Sequence, residues 1–362
     1  MKRRLVLVLL LLVLLGGLGL AAFRVGPRPT IEIRPATRAI GRSTAVAIEV
    51  REPARGLAAV RVELQQGALV VPLFEEAGRS LAAWKLWGAR DGARTIGFTV
   101  GKERIRELVE GPATLRVVAT GAGAWLRAAP SATTELELPV RLTPPTLEVL
   151  STQTYVAQGG CEAVVYRVGA TAQRDGVRAG ERFFPGWPLP GGTANDRFAL
   201  FAVPYDLADV ASVELVAADD VGNQRAARFV DQFFAKPPRA DDIQLTDAFL
   251  AKVVAEIRAE TPDLADAGNL LDNYLAINRG LRGANARELD ALAAQSAPAF
   301  LWKLPFLALP GGQVMSSFAD RRTYYYGGRE VDRQDHLGFD LASVARADVP
   351  AANGGVVVLA RF

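Results

Sequence analysis

Val46-Ala47-Ile48-Glu49-Val50 and Val60-Arg61-Val62-Glu63-Leu64 alternate apolar with small or charged side chains at a period of two. Successive side chains of an extended chain point to opposite sides, so this period buries one face of a strand and wets the other. The pattern recurs in Thr30-Ile31-Glu32-Ile33-Arg34, Thr114-Leu115-Arg116-Val117-Val118 and Glu135-Leu136-Glu137-Leu138. Strands of this kind separated by turn residues predict a mainly β protein, with an immunoglobulin-like β-sandwich over 28–143. Within it, Lys102 to Val109 reads as a short helix.

Working outward, Thr143-Pro144-Pro145 and Lys236-Pro237-Pro238 punctuate the chain as linkers. Residues 146–235 between them repeat the β theme and predict a second sandwich of the same type. There Val213-Glu214-Leu215-Val216-Ala217 leads through Asp219-Asp220-Val221-Gly222-Asn223 to Ala226-Ala227-Arg228-Phe229-Val230, a hairpin with a Gly-Asn turn. The Asp219/Asp220 pair has the hard oxygen donors that suit calcium, but without further spaced carboxylates a solvated turn is the favoured reading. Cys161 is the one cysteine in the chain, so no intrachain disulfide is available. Beside Gly159-Gly160 it reads as a small buried side chain.

The period then changes, predicting a helical segment over 243–298. Thr246 is placed to cap a helix running to about Glu260, with Leu245 and Leu250 as a staple across the cap. Phe249, Leu250, Val253, Val254 and Ile257 fall on one face of it. Further helical runs cover Leu270 to Arg279 and Arg287 to Gln295. Phe300 to Pro310, apolar and broken by proline, leads into the last segment, 300–362.

At the other end, Leu5 to Phe23 carries no charged or polar side chain and follows Lys2-Arg3-Arg4. Such a run spans about 28 Å as a helix, close to a bilayer's hydrocarbon thickness. It predicts a transmembrane helix over 1–25 in the inner-membrane lipid bilayer. The basic tip stays cytoplasmic, and everything after Arg24 faces the periplasm or cell exterior. Gly19-Leu20-Ala21-Ala22 also offers a cleavage site for a signal peptide, though the apolar run is longer than such peptides use. The formal net charge is +3, from 42 Lys and Arg against 39 Asp and Glu. Lys2, Arg3 and Arg4 account for that excess, so nothing in the charge balance suggests a nucleic-acid partner.

The chain has a single histidine, in Asp335-His336-Leu337-Gly338-Phe339-Asp340. A neutral imidazole and a carboxylate at this spacing can ligate one zinc ion, but a catalytic zinc needs three protein ligands and an open position. Around this pair the order is specific. Val314-Met315-Ser316-Ser317-Phe318-Ala319-Asp320-Arg321-Arg322 comes before it, then Tyr324-Tyr325-Tyr326-Gly327-Gly328. Leu341-Ala342-Ser343, Val349-Pro350-Ala351-Ala352 and Gly354-Gly355-Val356-Val357 come after.

This string resembles the opening half of the M23 family of zinc metallopeptidases, the lysostaphin-like or LytM-like cell-wall endopeptidases. In that family a Ser-Phe-Gly-x-Arg stretch leads into His-x-Gly-x-Asp, followed by an apolar strand, Pro-Val-x-Ala and Gly-x-Val. The resemblance covers Gln313 to Phe362 and implies that His336 and Asp340 are zinc ligands. Ala319 stands where the family has glycine. The family's downstream His-x-His, with the third ligand and a catalytic histidine, would lie beyond Phe362. The expectation is therefore a C-terminally truncated first half of the peptidase domain, with no catalytic residue of its own and no activity alone. The implied function is a membrane-anchored zinc metalloendopeptidase hydrolysing peptidoglycan crosslink peptides. The alternative is a non-catalytic LytM-like scaffold or regulator that contacts cell-wall or division proteins. Arg321, Tyr324, Tyr325 and Tyr326 fall beside the implied substrate groove. A β-hairpin turning at Gly327-Gly328, with tyrosines filling its strand faces, explains the tyrosines more simply.

Overall fold

A computed structural model describes residues 2–236, 239–297 and 299–360. The protein is mainly β, with an apolar N-terminal helix, α1 (Lys2–Phe23). That helix is long and apolar enough to cross a membrane, and the leucines and valines from Leu5 to Leu15 are exposed.

Seven strands follow: β1 (Thr30–Pro35), β2 (Thr44–Arg51), β3 (Leu57–Gln66), β4 (Leu69–Ala77), β5 (Ala93–Val100), β6 (Gly111–Gly121) and β7 (Ser131–Val140). They form two open sheets, ordered β1-β2-β5 and β4-β3-β6-β7. The apolar faces of both sheets meet in one core containing Ile48, Val50, Val62, Leu64, Leu115 and Val117. Each fully buried aliphatic side chain there contributes about 1.5–3 kcal/mol. The alternating sequence sets this pattern directly, since Glu49 and Arg61 lie opposite the buried positions. Strands β4 and β5 are weaker in sequence: Pro72 interrupts one and Gly97 the other. They are held by register, Val62 against Phe74 and Ile48 against Ile96. Lys102 to Val109 is a run of turns, not a helix. Ile105 and Leu108 plug the end of the core from it, a demand that a single exposed helical turn would not meet.

The second unit has sheets ordered β13-β14-β10-β8 and β12-β11-β15-β16, plus a parallel pair. Its strands are β8 (Leu147–Val149), β9 (Tyr155–Ala157), β10 (Cys161–Val168), β11 (Arg174–Ala179), β12 (Arg182–Pro185), β13 (Trp187–Pro188), β14 (Asp196–Ala202), β15 (Val213–Ala218), β16 (Gln224–Ala227) and β17 (Gln232–Phe234). Val164, Tyr166, Val177, Phe201 and Leu215 share its core. Cys161 is exposed, contrary to the buried expectation, because it opens β10 before the buried alternation starts at Val164. The β15–β16 turn is not solvated either. Asp219 is buried and accepts the amides of Val221 and Asn223, while Asp220 pairs with Arg141 of the first unit. The Asn223 side-chain amide donates to the Arg141 carbonyl at 3.0 Å. Asp219 is consumed within its own turn and Asp220 in a joint with the first unit, which leaves the calcium reading without free ligands. In the second predicted linker, Pro237 and Pro238 lie outside the described residues.

The remaining elements form one further unit. The stretch expected to be helical opens with a strand, β18 (Ala240–Leu245), before α2 (Asp247–Glu260), α3 (Leu270–Leu275), a π-helical turn (Ala276–Leu281) and α4 (Arg282–Ala293). The chain then returns through β19 (Gln313–Ser316), β20 (Asp320–Tyr326), β21 (Arg329–His336) and β22 (Asp340–Ala342). β18 pairs in parallel with β20, so the helices are the crossover that a parallel pair requires. Thr246 caps α2, accepting the Phe249 amide, and Leu245 and Leu250 close the staple as the sequence predicts. Leu250, Val254 and Tyr274 pack on Tyr324 of β20. The helical segment and the Tyr-rich hairpin are therefore one packed body, although the sequence pattern divides them near residue 300. Phe300–Pro310 and 343–360 contain no strand or helix. Val356 to Leu359, the apolar run near the end of the sequence, are exposed and form no strand.

Candidate metal centre

Two short ladders place the His-x-x-x-Asp pair. β20 and β21 form an antiparallel hairpin, with Asp320 opposite His336. β19 and β22 form a second antiparallel pair, with Ser316 opposite Asp340. The loops 317–319 and 337–339 carry the chain from one ladder to the other, so the two motifs quoted from the sequence meet at the junction. Gly327 and Gly328, with φ of 56° and 74°, make the tight hairpin turn.

The loop before β20 is built by hydrogen bonds. Asp320, 3% exposed, accepts the Ser317 amide at 2.8 Å, and the Ala319 amide donates to the His336 carbonyl at 2.7 Å. Meeting both bonds forces Ala319 to a φ of 67°, a left-handed conformation that costs an L-residue about 1–2 kcal/mol. This is the position where the resembled family has glycine. Ala319→Gly is expected to raise stability by about 0.5–1 kcal/mol, because relief of strain exceeds the extra backbone entropy lost on folding. Thermal denaturation of the pair of proteins reads this; an equal or lower midpoint for the glycine variant would show that the loop is not strained.

His336 Nε2 lies 3.4 Å from Asp340 Oδ1, yet it is buried and makes no hydrogen bond. A buried ring nitrogen without a partner is costly, and here it is aimed at a carboxylate. The other carboxylate oxygen accepts from Arg322 Nη2 at 3.0 Å. That bond, together with the nearby His336, the Arg322 charge and the Ser316 hydroxyl, holds the Asp340 carboxyl below the ordinary aspartate range despite some desolvation. The pair therefore offers an ionised oxygen and an unsatisfied nitrogen in reach of one another, donor types that zinc accepts. A third is not there: no group of three His, Cys, Asp or Glu is placed to hold a metal among the described residues.

The proposed substrate-contacting residues separate. Tyr324 is 4% exposed and packs against Tyr274, so it supports the hairpin from beneath and has no surface for a ligand. Tyr326 packs on the same core and donates its hydroxyl to Asp247 at 2.6 Å. Arg321 is exposed and Tyr325 half-buried; neither joins that core. Sequence reading missed Arg322 as the carboxylate's partner, although it directly follows the arginine of the Ser-Phe-x-x-Arg stretch, Arg321. It also missed Asp332, which accepts from Asn278, Arg279 and Gln334 beneath β21. A contact between residues so far apart in sequence leaves no local pattern.

Neither a family model nor a curated protein sequence matches the chain. Solved structures that resemble parts of it include a β-glucosidase from Listeria innocua in complex with isofagomine, at 14% identity and a TM-score of 0.19. That match covers 31% of this chain and 16% of the β-glucosidase chain. Dimeric latent PorU from Porphyromonas gingivalis matches at 13% identity and a TM-score of 0.20, over 58% of this chain and 20% of that one. The I9–I11 tandem from titin matches at 10% identity and a TM-score of 0.20, over 59% and 71%. Similarity this low carries no argument about function.

Proposed function

We propose that this chain contributes His336 and Asp340 to the zinc site of a membrane-anchored metalloendopeptidase of the M23 type, acting on peptidoglycan crosslink peptides outside the cytoplasm. The observation that carries the reading is the buried, unpartnered His336 Nε2 facing Asp340, at the point where the two resembled motifs converge. A zinc ion bound there would supply Lewis acidity toward a peptide carbonyl and a water of lowered pKa. The two-sheet units between membrane and site are read as immunoglobulin-like spacers. Seven strands arranged as three and four around one core is the count of a constant-type domain. Retention of α1 is supported by its far end. The Ala21 and Ala22 carbonyls accept the amides of Trp125 and Leu126, bonds that cleavage at that point would remove.

A second reading is a non-catalytic scaffold or regulator of cell-wall enzymes. It is favoured by the Arg322 guanidinium on Asp340, which already neutralises that carboxylate. Zinc titration of the purified full chain separates the two. With two ligands the expected binding is weak, and it is lost in His336→Ala. The chain alone is expected to release no soluble peptides from purified peptidoglycan. Zinc binding that is the same in His336→Ala would remove the metallopeptidase reading and leave the scaffold.

A further inference from the structure

The first two-sheet unit carries an aromatic surface that nothing in the peptidase reading uses. Trp84, Trp87 and Trp125 are 59%, 80% and 76% exposed, and Leu86, Leu126 and Phe23 beside them are more than half exposed. Three indoles left in water on one unit are costly unless something covers them. They sit on two loops, 78–92 and 122–130, whose ends are bonded to the exit of α1.

Those loops are fixed to the exit of α1 by hydrogen bonds. The Trp125 amide donates to the Ala21 carbonyl at 3.1 Å and the Leu126 amide to Ala22 at 2.9 Å. Arg24 Nη1 donates to the Lys85 carbonyl at 2.5 Å. The buried Arg55 guanidinium ties the set together, donating to the carbonyls of Arg24, Leu81, Ala122 and Gly123. The indoles are thereby held level with the last turn of a helix whose preceding turns are apolar all round. The two loops carry Arg79, Lys85, Arg90 and Arg127 against one carboxylate, Asp91, which already accepts the Arg79 amide and pairs with Arg94. Lys85 Nζ lies 5.2 Å over the Trp84 ring.

We propose that this unit is seated on the phospholipid surface from which α1 emerges, with Trp84, Trp87 and Trp125 inserted at headgroup depth and Lys85, Arg90 and Arg127 facing lipid phosphates. The proposal rests on α1 being a retained anchor. Continuity with the helix selects lipid as the occupant: exposed Trp125 and Leu126 are bonded to Ala21 and Ala22 at the helix exit, and exposed Trp84, Leu86 and Trp87 flank Lys85, which is bonded to Arg24. Amphipathic indoles concentrate at that depth, and basic groups gain from the anionic surface beside them. The consequence is orientation: a unit held at three aromatic points and a helix cannot swing freely on the residue 24–29 tether.

The test is fluorescence of the full chain reconstituted into vesicles of phosphatidylglycerol and phosphatidylethanolamine, with or without bromine on the upper acyl chain. The chain holds five tryptophans, and the other two, Trp187 and Trp302, lie in later units. Bromolipid is expected to quench roughly half of the total emission, and a Trp84→Phe/Trp87→Phe/Trp125→Phe variant should show almost none. These positions are exposed, so the variant folds. Carbonate washing of the same vesicles reports the anchor independently. A chain that resists washing while its emission is unaffected by bromine would overturn the docking and leave the anchor standing. Such a result would hold equally if a second copy or another protein covered the indoles. A chain released by carbonate would overturn both.

Discussion

Replacing Arg55 by methionine is expected to cost about 3–5 kcal/mol of stability, because it strands several buried carbonyls at once. Arg55 is 2% exposed. Its Nε and Nη2 donate to the Leu81 carbonyl at 3.0 and 2.6 Å, and Nη1 reaches Arg24, Ala122 and Gly123 at 2.6, 3.0 and 2.8 Å. Methionine fills much of the volume but donates nothing, so the loss is one of hydrogen bonds rather than packing. A planar fork with five N–H groups serves acceptors in several directions; a lysine ammonium at the end of a thinner stem does not. Arg55→Lys should therefore fall between parent and Arg55→Met. Denaturation in detergent micelles measures the stability, and limited proteolysis at 24–29 measures whether the helix exit has come loose. A methionine variant within about 0.5 kcal/mol of the parent would show that water satisfies these carbonyls. The position matters for function because Arg55 is where membrane helix and first β unit become one piece.

What was legible in the sequence was local. The period-two runs at Val46 and Val60 became strands because burying one face needs only that alternation and a facing sheet. The Thr246 cap with its Leu245–Leu250 staple, and the Gly327-Gly328 turn, were readable for the same reason: the partners lie within a few residues of one another. His336 and Asp340 were legible as a pair, and the structure brings them within 3.4 Å. The failures were relationships across the fold. No local pattern tells that Ala240–Leu245 pairs in parallel with β20, which makes the start of an expected helical segment part of the site's supporting sheet. Alternation in Tyr324-Tyr325-Tyr326 could not distinguish a ligand-facing ring from a core ring until α2 and α3 were packed against the hairpin. Asp220 looked solvated because the Arg141 it serves belongs to another unit.

The largest effect expected near the candidate centre comes from Asp332, four residues before His336 on the same strand. Its side chain is almost fully buried and accepts Asn278 Nδ2 at 2.8 Å, Arg279 Nε at 2.8 Å and Gln334 Nε2 at 3.1 Å. The π-helical turn over Ala276–Leu281 lets two consecutive residues reach the same carboxylate. Burial alone would raise the Asp332 pKa, but the hydrogen bonds from Arg279, Gln334 and Asn278 together hold it below the ordinary value. A depressed folded pKa means that this stability is present above the unfolded value of about 3.9 and is lost as pH falls through the folded one. Asp332→Ala should cost about 2–4 kcal/mol at neutral pH, chiefly from the buried Asn278 amide left unpaired. The Arg279 pair adds little, since that guanidinium is 53% exposed. The parent's midpoint should drop steeply below pH 4, whereas the variant, already without the carboxylate, should change less over the same window. Parallel acid-unfolding curves for the two would place the acid sensitivity elsewhere. If Asp332 is what fixes β21, the variant should also weaken whatever zinc binding His336 supports, even though Asp332 reaches neither ligand. A stability loss with zinc binding unchanged would mean that His336 is held from the Ala319 loop and not from the helices.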